Sequence, residues 1–117
     1  GGATLTWHTS VNGDTNQTAN GPEFGGVAIP FACTMNAMRV SAQYISGSGT
    51  NNITVTLMRN GAATGMTCNF SATTVGATSS CSSTTNVAVA AGDILSLRYT
   101  QDNSTPIIRI GTGTRCQ

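Results

Sequence analysis

The most regular alternation of apolar and polar positions lies between Asn52 and Thr100. Ile53, Val55 and Leu57 alternate with Asn52, Thr54 and Thr56, which is the period of a half-buried strand. Asn60-Gly61 then gives the strongest short hairpin signal, because a type I′ turn needs φ > 0 at both central residues. Met66-Thr67-Cys68 follows, then a Ser/Thr-rich segment holding Cys81, with a long polar loop over Ala72 to Ser80. Val87 and Val89 resume the period, Ala91-Gly92-Asp93 turns the chain, and Leu95, Leu97 and Tyr99 form the apolar face of the next strand.

The same pattern extends outward from this centre. Thr34 to Tyr44 reads as a longer strand, with Met38, Val40, Ala42 and Tyr44 on one face and Arg39, Ser41 and Gln43 on the other. Ile107-Ile108-Arg109-Ile110 reads as the last strand, followed by a tail from Gly111 to Gln117. Phe24 to Phe31 is extended but interrupted by glycines and Pro30, which suits an edge strand, since proline cannot donate to a ladder. Thr4 to Thr9 is a short N-terminal strand, and Val11 to Gly21 is a loop punctuated by Asn12-Gly13-Asp14 and Asn20-Gly21-Pro22. No stretch shows helical period. About eight antiparallel strands separated by short reversals predict an all-β, two-sheet sandwich of jelly-roll type. The chain reads as one domain of 117 residues, with 1–22 as an N-terminal arm and loop and 23–117 as the sandwich body.

Composition narrows the partners. Charged residues make up 8% of the chain and lysine is absent, so a net charge of +1 gives no electrostatic footprint for nucleic acid. No apolar run is long enough for a membrane-spanning helix. Periodic Val, Ile and Leu with 38% hydrophobic content argue against disorder. Strand edges without charge lack a usual barrier to pairing with other chains, which points to self-association. The chain does not begin with Met, which leaves open a removed leader or a trimmed initiator.

Cys33, Cys68, Cys81 and Cys116 contain no C-x-x-C pair, and His8 is the only histidine, so disulfides are favoured over a zinc site. Three pairings are possible. Cys68–Cys81 is favoured because it staples consecutive strands across one polar loop, and Cys33–Cys116 then ties an early strand to the C-terminus. Disulfides imply an extracellular, cell-surface or virion-exterior setting. The alternative is free cysteines packed as small hydrophobes.

Candidate chemistry is sparse. The acids Asp14, Glu23, Asp93 and Asp102 all sit in or beside turns, where aspartate hydrogen-bonds local backbone. Asp14 with Asn12, Asn16 and Glu23 is the one grouping that could suit calcium. A triad through His8, a nucleophile elbow at Gly47-Ser48-Gly49 and a phosphate loop at Gly111 to Arg115 each lack the surrounding pattern those sites need. The reading is of no enzyme, no metal and no cofactor. Asn16, Asn52, Asn69 and Asn103 each open a glycosylation sequon, a pattern such a composition also produces by chance. Most of the aromatic residues fall at positions expected to be core. Leu5 and Trp7 lie on an arm that could pair with a neighbouring subunit's sheet edge or fold back as an edge strand of its own sandwich.

The run from Phe31 to Tyr99 resembles a small jelly-roll module of bacterial and bacteriophage proteins. The residues that carry the resemblance are Met38-Arg39-Val40, the Ile53 to Gly61 hairpin, Met66-Thr67-Cys68, and Cys81 to Leu97 with its Val-Ala-Ala-Gly-Asp turn. The module is similar to the C1q/TNF-type β-sandwich, which commonly forms trimers. The resemblance implies a structural or attachment protein: a capsid decoration protein, a fibre head or a filament subunit. It implies copies of itself as partners, with a capsid shell or a surface glycan as further ones. A glycan- or receptor-binding module is the alternative function.

Overall fold

The computed structural model describes residues 5–9, 13–16, 26–103 and 105–117, with the first two segments described as backbone. Ten strands appear among them: β1 (Leu5–Thr9), β2 (Gly13–Asn16), β3 (Val27–Ala28), β4 (Cys33–Ser46), β5 (Asn51–Arg59), β6 (Ala62–Ala72), β7 (Thr78–Ser83), β8 (Val87–Val89), β9 (Ile94–Gln101) and β10 (Ile107–Cys116). All pair antiparallel in two sheets. The first runs β1-β9-β5-β6, with β3 also on β9; the second runs β2-β10-β4-β7, with β8 also on β4. From β3 onward the chain changes sheets at every connection except the β5–β6 hairpin and the passage from β7 to β8 along one edge of β4. This is the wiring of a jelly-roll sandwich.

The core is the interleaved inner faces. Ile53, Val55 and Leu57 of β5 and Leu95, Leu97 and Tyr99 of β9 meet Val40 and Tyr44 of β4 and Ile108 and Ile110 of β10, all buried. Two bulges adjust β4 against β10. Cys116 pairs with Met35 while Arg115 pairs with Ala37, so Asn36 is the extra residue and the inward alternation shifts from Met35 to Met38. Ile45 is extra at the other end and is exposed. A third bulge lies on β6 opposite Leu57, where the Thr64 hydroxyl donates to the Leu57 carbonyl at 2.7 Å and Met66 turns into the core.

The structure extends several elements beyond the apolar pattern. The expected loop Ala72 to Ser80 contains the start of β7, whose Thr78 to Ser83 pair with Gln43 to Met38. The expected tail after Ile110 is strand as far as Cys116, because β4 runs 14 residues and offers its backbone edge throughout. Gly13–Asn16, expected as loop, pairs with β10. These Ser/Thr/Gly segments are strands through ladder hydrogen bonds rather than through side-chain burial. The N-terminal strand lies along β9 of its own chain, with Trp7 opposite Tyr99. The side chains of Leu5 and Trp7 fall outside the described residues. Of the aromatic residues, Tyr44, Phe70 and Tyr99 are buried and Phe31 is 77% exposed.

The β5–β6 turn has Asn60 at φ 51° and Gly61 at φ 80°, both positive as a type I′ turn demands. Gly61→Val places a β-branched residue in that region and is expected to cost at least about 1 kcal/mol, because such backbone is strained for L-residues. Urea denaturation of the two proteins checks it, and an unchanged midpoint would contradict the turn assignment.

Candidate functional site

Two clusters of polar side chains with tertiary partners lie at the two ends of the sandwich. At one end the β5–β6 hairpin is latched to the β8–β9 turn. Asn60 Nδ2 donates to Asp93 Oδ1 at 2.9 Å, and Asn60 Oδ1 accepts from the Ile94 amide at 2.9 Å. Asp93 Oδ2 accepts from the Ala90 amide at 2.8 Å, closing the turn on itself. The β3–β4 connection joins this cluster through Ile29, whose amide donates to the Asp93 carbonyl and whose carbonyl accepts from Gly92. Arg59 donates through Nη1 to the Ala88 carbonyl. Between these loops lies an open depression of about 490 Å³ lined by Ala32, Arg59, Asn60, Ala88, Val89, Ala90 and Asp93. The sequence marks Asn60-Gly61 and Ala91-Gly92-Asp93 separately as turns; the structure shows that they hold each other.

At the other end Asp102 receives the Asn52 amide on Oδ1 at 2.9 Å and Asn52 Nδ2 on Oδ2 at 2.7 Å. Ser71 donates to Asn52 Oδ1, which extends the network to β6. Beneath it, Asn51 Nδ2 donates to Gln101 Oε1 at 3.2 Å, and both residues are fully buried at the end of the core. The Tyr44 hydroxyl donates to the Gly49 carbonyl, and Asn103 Nδ2 to the Thr50 carbonyl, pinning the β4–β5 loop. Of the sequons, Asn52 and Asn103 therefore have amides committed inside the protein, whereas Asn69 is exposed. Asn16 has only its backbone described.

Asp93 and Asp102 stand just outside opposite ends of β9, whose 8 residues span roughly 25 Å. They cannot flank one substrate bond as paired catalytic carboxylates do. Asp14 lies on β2 opposite Gly111 with only its backbone described, and Asn12 and Glu23 lie outside the described residues. Among the described residues no group of three or more His, Cys, Asp or Glu could hold a metal. His8 is placed on β1, opposite Arg98.

Hydrogen bonds hold both aspartates below the usual carboxylate range. For Asp93 the largest cause is the Asn60 side chain, followed by the Ala90 amide; for Asp102 it is the Asn52 amide, followed by the Asn52 side chain. A carboxylate with a depressed folded pKa contributes stability that is complete above its unfolded value, near 3.8, and is lost as pH falls through the folded value. The urea midpoint should therefore drop between about pH 5 and pH 2. The Asp93→Asn/Asp102→Asn double variant should show a shallower drop over the same range. Equal slopes would show that these bonds do not favour the ionised forms.

The cysteines form both expected bridges. Cys33–Cys116 has a Cα separation of 5.5 Å and ties the start of β4 to the end of β10; Cys68–Cys81, at 5.8 Å, joins β6 of the first sheet to β7 of the second. Thr34 and Gln117 exchange backbone hydrogen bonds beside the first bridge. No helix among the described residues is long and apolar enough to cross a membrane. The chain matches no protein-family model, no curated protein and no solved structure.

Proposed function

We propose that this chain is a non-enzymatic structural subunit that assembles with copies of itself on the outside of a virion or cell, as a capsid decoration protein, fibre head or filament subunit. The observation that carries the reading is the uncharged edge strand of the first sheet. Strand β6 runs 11 residues, Ala62 to Ala72, and contains no charge and no proline. It pairs with β5 alone among the described strands. Natural edge strands are blunted by charge, proline, bulges or cover; β6 has the bulge at Thr64 to Met66 and the Ser79 hydroxyl on the Ser71 carbonyl, and the stretch between them, without charge or proline, is a template for another chain. Neighbouring β7, Thr-Ser-Ser-Cys-Ser-Ser, is equally uncharged. The two disulfides suit an oxidising exterior, and the resemblance of Phe31 to Tyr99 to a trimer-forming sandwich points the same way.

Lysines placed on this edge test the reading. Ala63 and Asn69 are exposed on β6. The Ala63→Lys/Asn69→Lys variant should remain folded yet sediment as a smaller species than the parent. Unchanged assembly in a folded variant would remove β6 from the interface. The alternative reading, a glycan- or receptor-binding module, draws on the depression beside Arg59 and Asp93.

A further inference from the structure

We propose that Asn60 is a modification site guarded by its latch: held by Asp93 and Ile94 it keeps its amide, and once released it cyclises onto Gly61 and deamidates, after which the latch cannot re-form. The inference goes beyond self-assembly and does not depend on it.

Asparagine followed by glycine is the pair in which this reaction is easiest, because glycine has no side chain to shield its amide nitrogen. The Gly61 nitrogen gives its proton to solvent base and attacks Asn60 Cγ. The bond from Cγ to Nδ2 breaks, ammonia leaves with a proton from solvent, and a five-membered succinimide remains. Water then opens one of its two carbonyls, leaving aspartate or isoaspartate. Solvent supplies every co-reactant. The chain holds three such pairs, Asn12-Gly13, Asn20-Gly21 and Asn60-Gly61.

Asn60 is exposed at the tip of a hairpin, so burial does not protect it. Three hydrogen bonds restrain it instead. Its backbone amide donates to the Ile94 carbonyl at 2.8 Å, its Nδ2 donates to Asp93 Oδ1 at 2.9 Å, and its Oδ1 accepts from the Ile94 amide at 2.9 Å. Both polar atoms on Cγ are thus tied to a turn 33 residues away. Asp93 is itself fixed by the Ala90 amide on its other oxygen. The type I′ turn, with φ 51° at Asn60 and 80° at Gly61, fixes the backbone on both sides of the bond that has to rearrange. Cyclisation therefore waits on opening of the latch, a local event that does not require global unfolding.

The product cannot latch again. An aspartate at position 60 has no Nδ2 to donate, and its charge would face the Asp93 carboxylate, a pairing of like charges that disfavours ionisation. Isoaspartate adds a methylene to the main chain of a two-residue turn, and turn length sets the register of the β5–β6 hairpin. Each opening that leads to reaction is recorded in the covalent structure.

The test is incubation of the whole chain at mildly alkaline pH, with peptide mapping by mass spectrometry to follow conversion at each asparagine. In guanidinium chloride, with the disulfides intact, Asn60 should convert several-fold faster than in the folded protein. Asp93→Ala, its fold checked by circular dichroism, should speed conversion at Asn60 several-fold and leave Asn12 and Asn20 at the parent's rates. Asp102→Ala removes the carboxylate at the far end and should leave Asn60 at the parent's rate, which separates loss of the latch from general destabilisation. The proposal is overturned if folded Asn60 converts as fast as in denaturant, if folded Asp93→Ala converts Asn60 no faster than the parent, or if Asp102→Ala speeds Asn60 as much as Asp93→Ala does. The first of these outcomes is read on the parent alone and needs no variant to fold.

Discussion

The Cys33→Ala/Cys116→Ala variant should lose about 4–5 kcal/mol of stability, because the bridge closes a loop of 83 residues and loop-closure entropy grows with the logarithm of that length. The Cys68→Ala/Cys81→Ala variant opens a loop of only 13 residues and should lose about 3 kcal/mol by the same relation. The order matters more than either magnitude. Cys33–Cys116 joins strands that already pair along ten residue positions, so its contribution acts mainly on the unfolded chain. Cys68–Cys81 crosses between sheets at the β6–β7 corner, where no ladder connects them. Denaturant titration of both double variants under non-reducing conditions checks the order. A larger loss at Cys68–Cys81 would mean that native-state contacts between the sheets outweigh chain entropy.

Tyr99→Ala should cost about 3–5 kcal/mol, the range for truncating a fully buried aromatic. Tyr99 has no exposed surface and sits on β9, between β1 and β5 in the first sheet. Burial is the largest influence on its phenol and pushes the pKa up from the ordinary value. Tyr99→Phe keeps the packed ring and should cost much less than Tyr99→Ala, because the ring carries most of the buried area. Similar losses for the two variants would place the energy in the hydroxyl and not in the packed ring.

Much of the fold was legible because its core strands carry the period of two in their side chains. Val87 and Val89, Leu95 to Tyr99 and Ile53 to Leu57 were all placed by alternation. What escaped was pairing without burial. Strand β7, the second half of β10 and β2 are built mostly from Ser, Thr, Gly, Asp and Asn, with Cys81, Arg115 and Cys116 among them, and they become strands because neighbouring strands supply the ladder. Hydrophobicity assigns most of the aromatics to the core and names no exception, and burial separates them: Tyr44, Phe70 and Tyr99 are buried while Phe31 is exposed. The latch between Asn60 and Asp93 spans 33 residues, so turn chemistry identified each partner but not the partnership. The depression left still less trace, since Ala32, Arg59, Asn60, Ala88 to Ala90 and Asp93 come together only in the fold.

The central claim, that the uncharged edges of this sandwich serve to join copies of the chain, is tested most directly by the mass of the unmodified protein in solution. Sedimentation equilibrium over a range of concentrations should return a multiple of the 11.9 kDa chain, three for a closed ring or a rising value for a filament. A single species of 11.9 kDa at the highest concentration would contradict the claim.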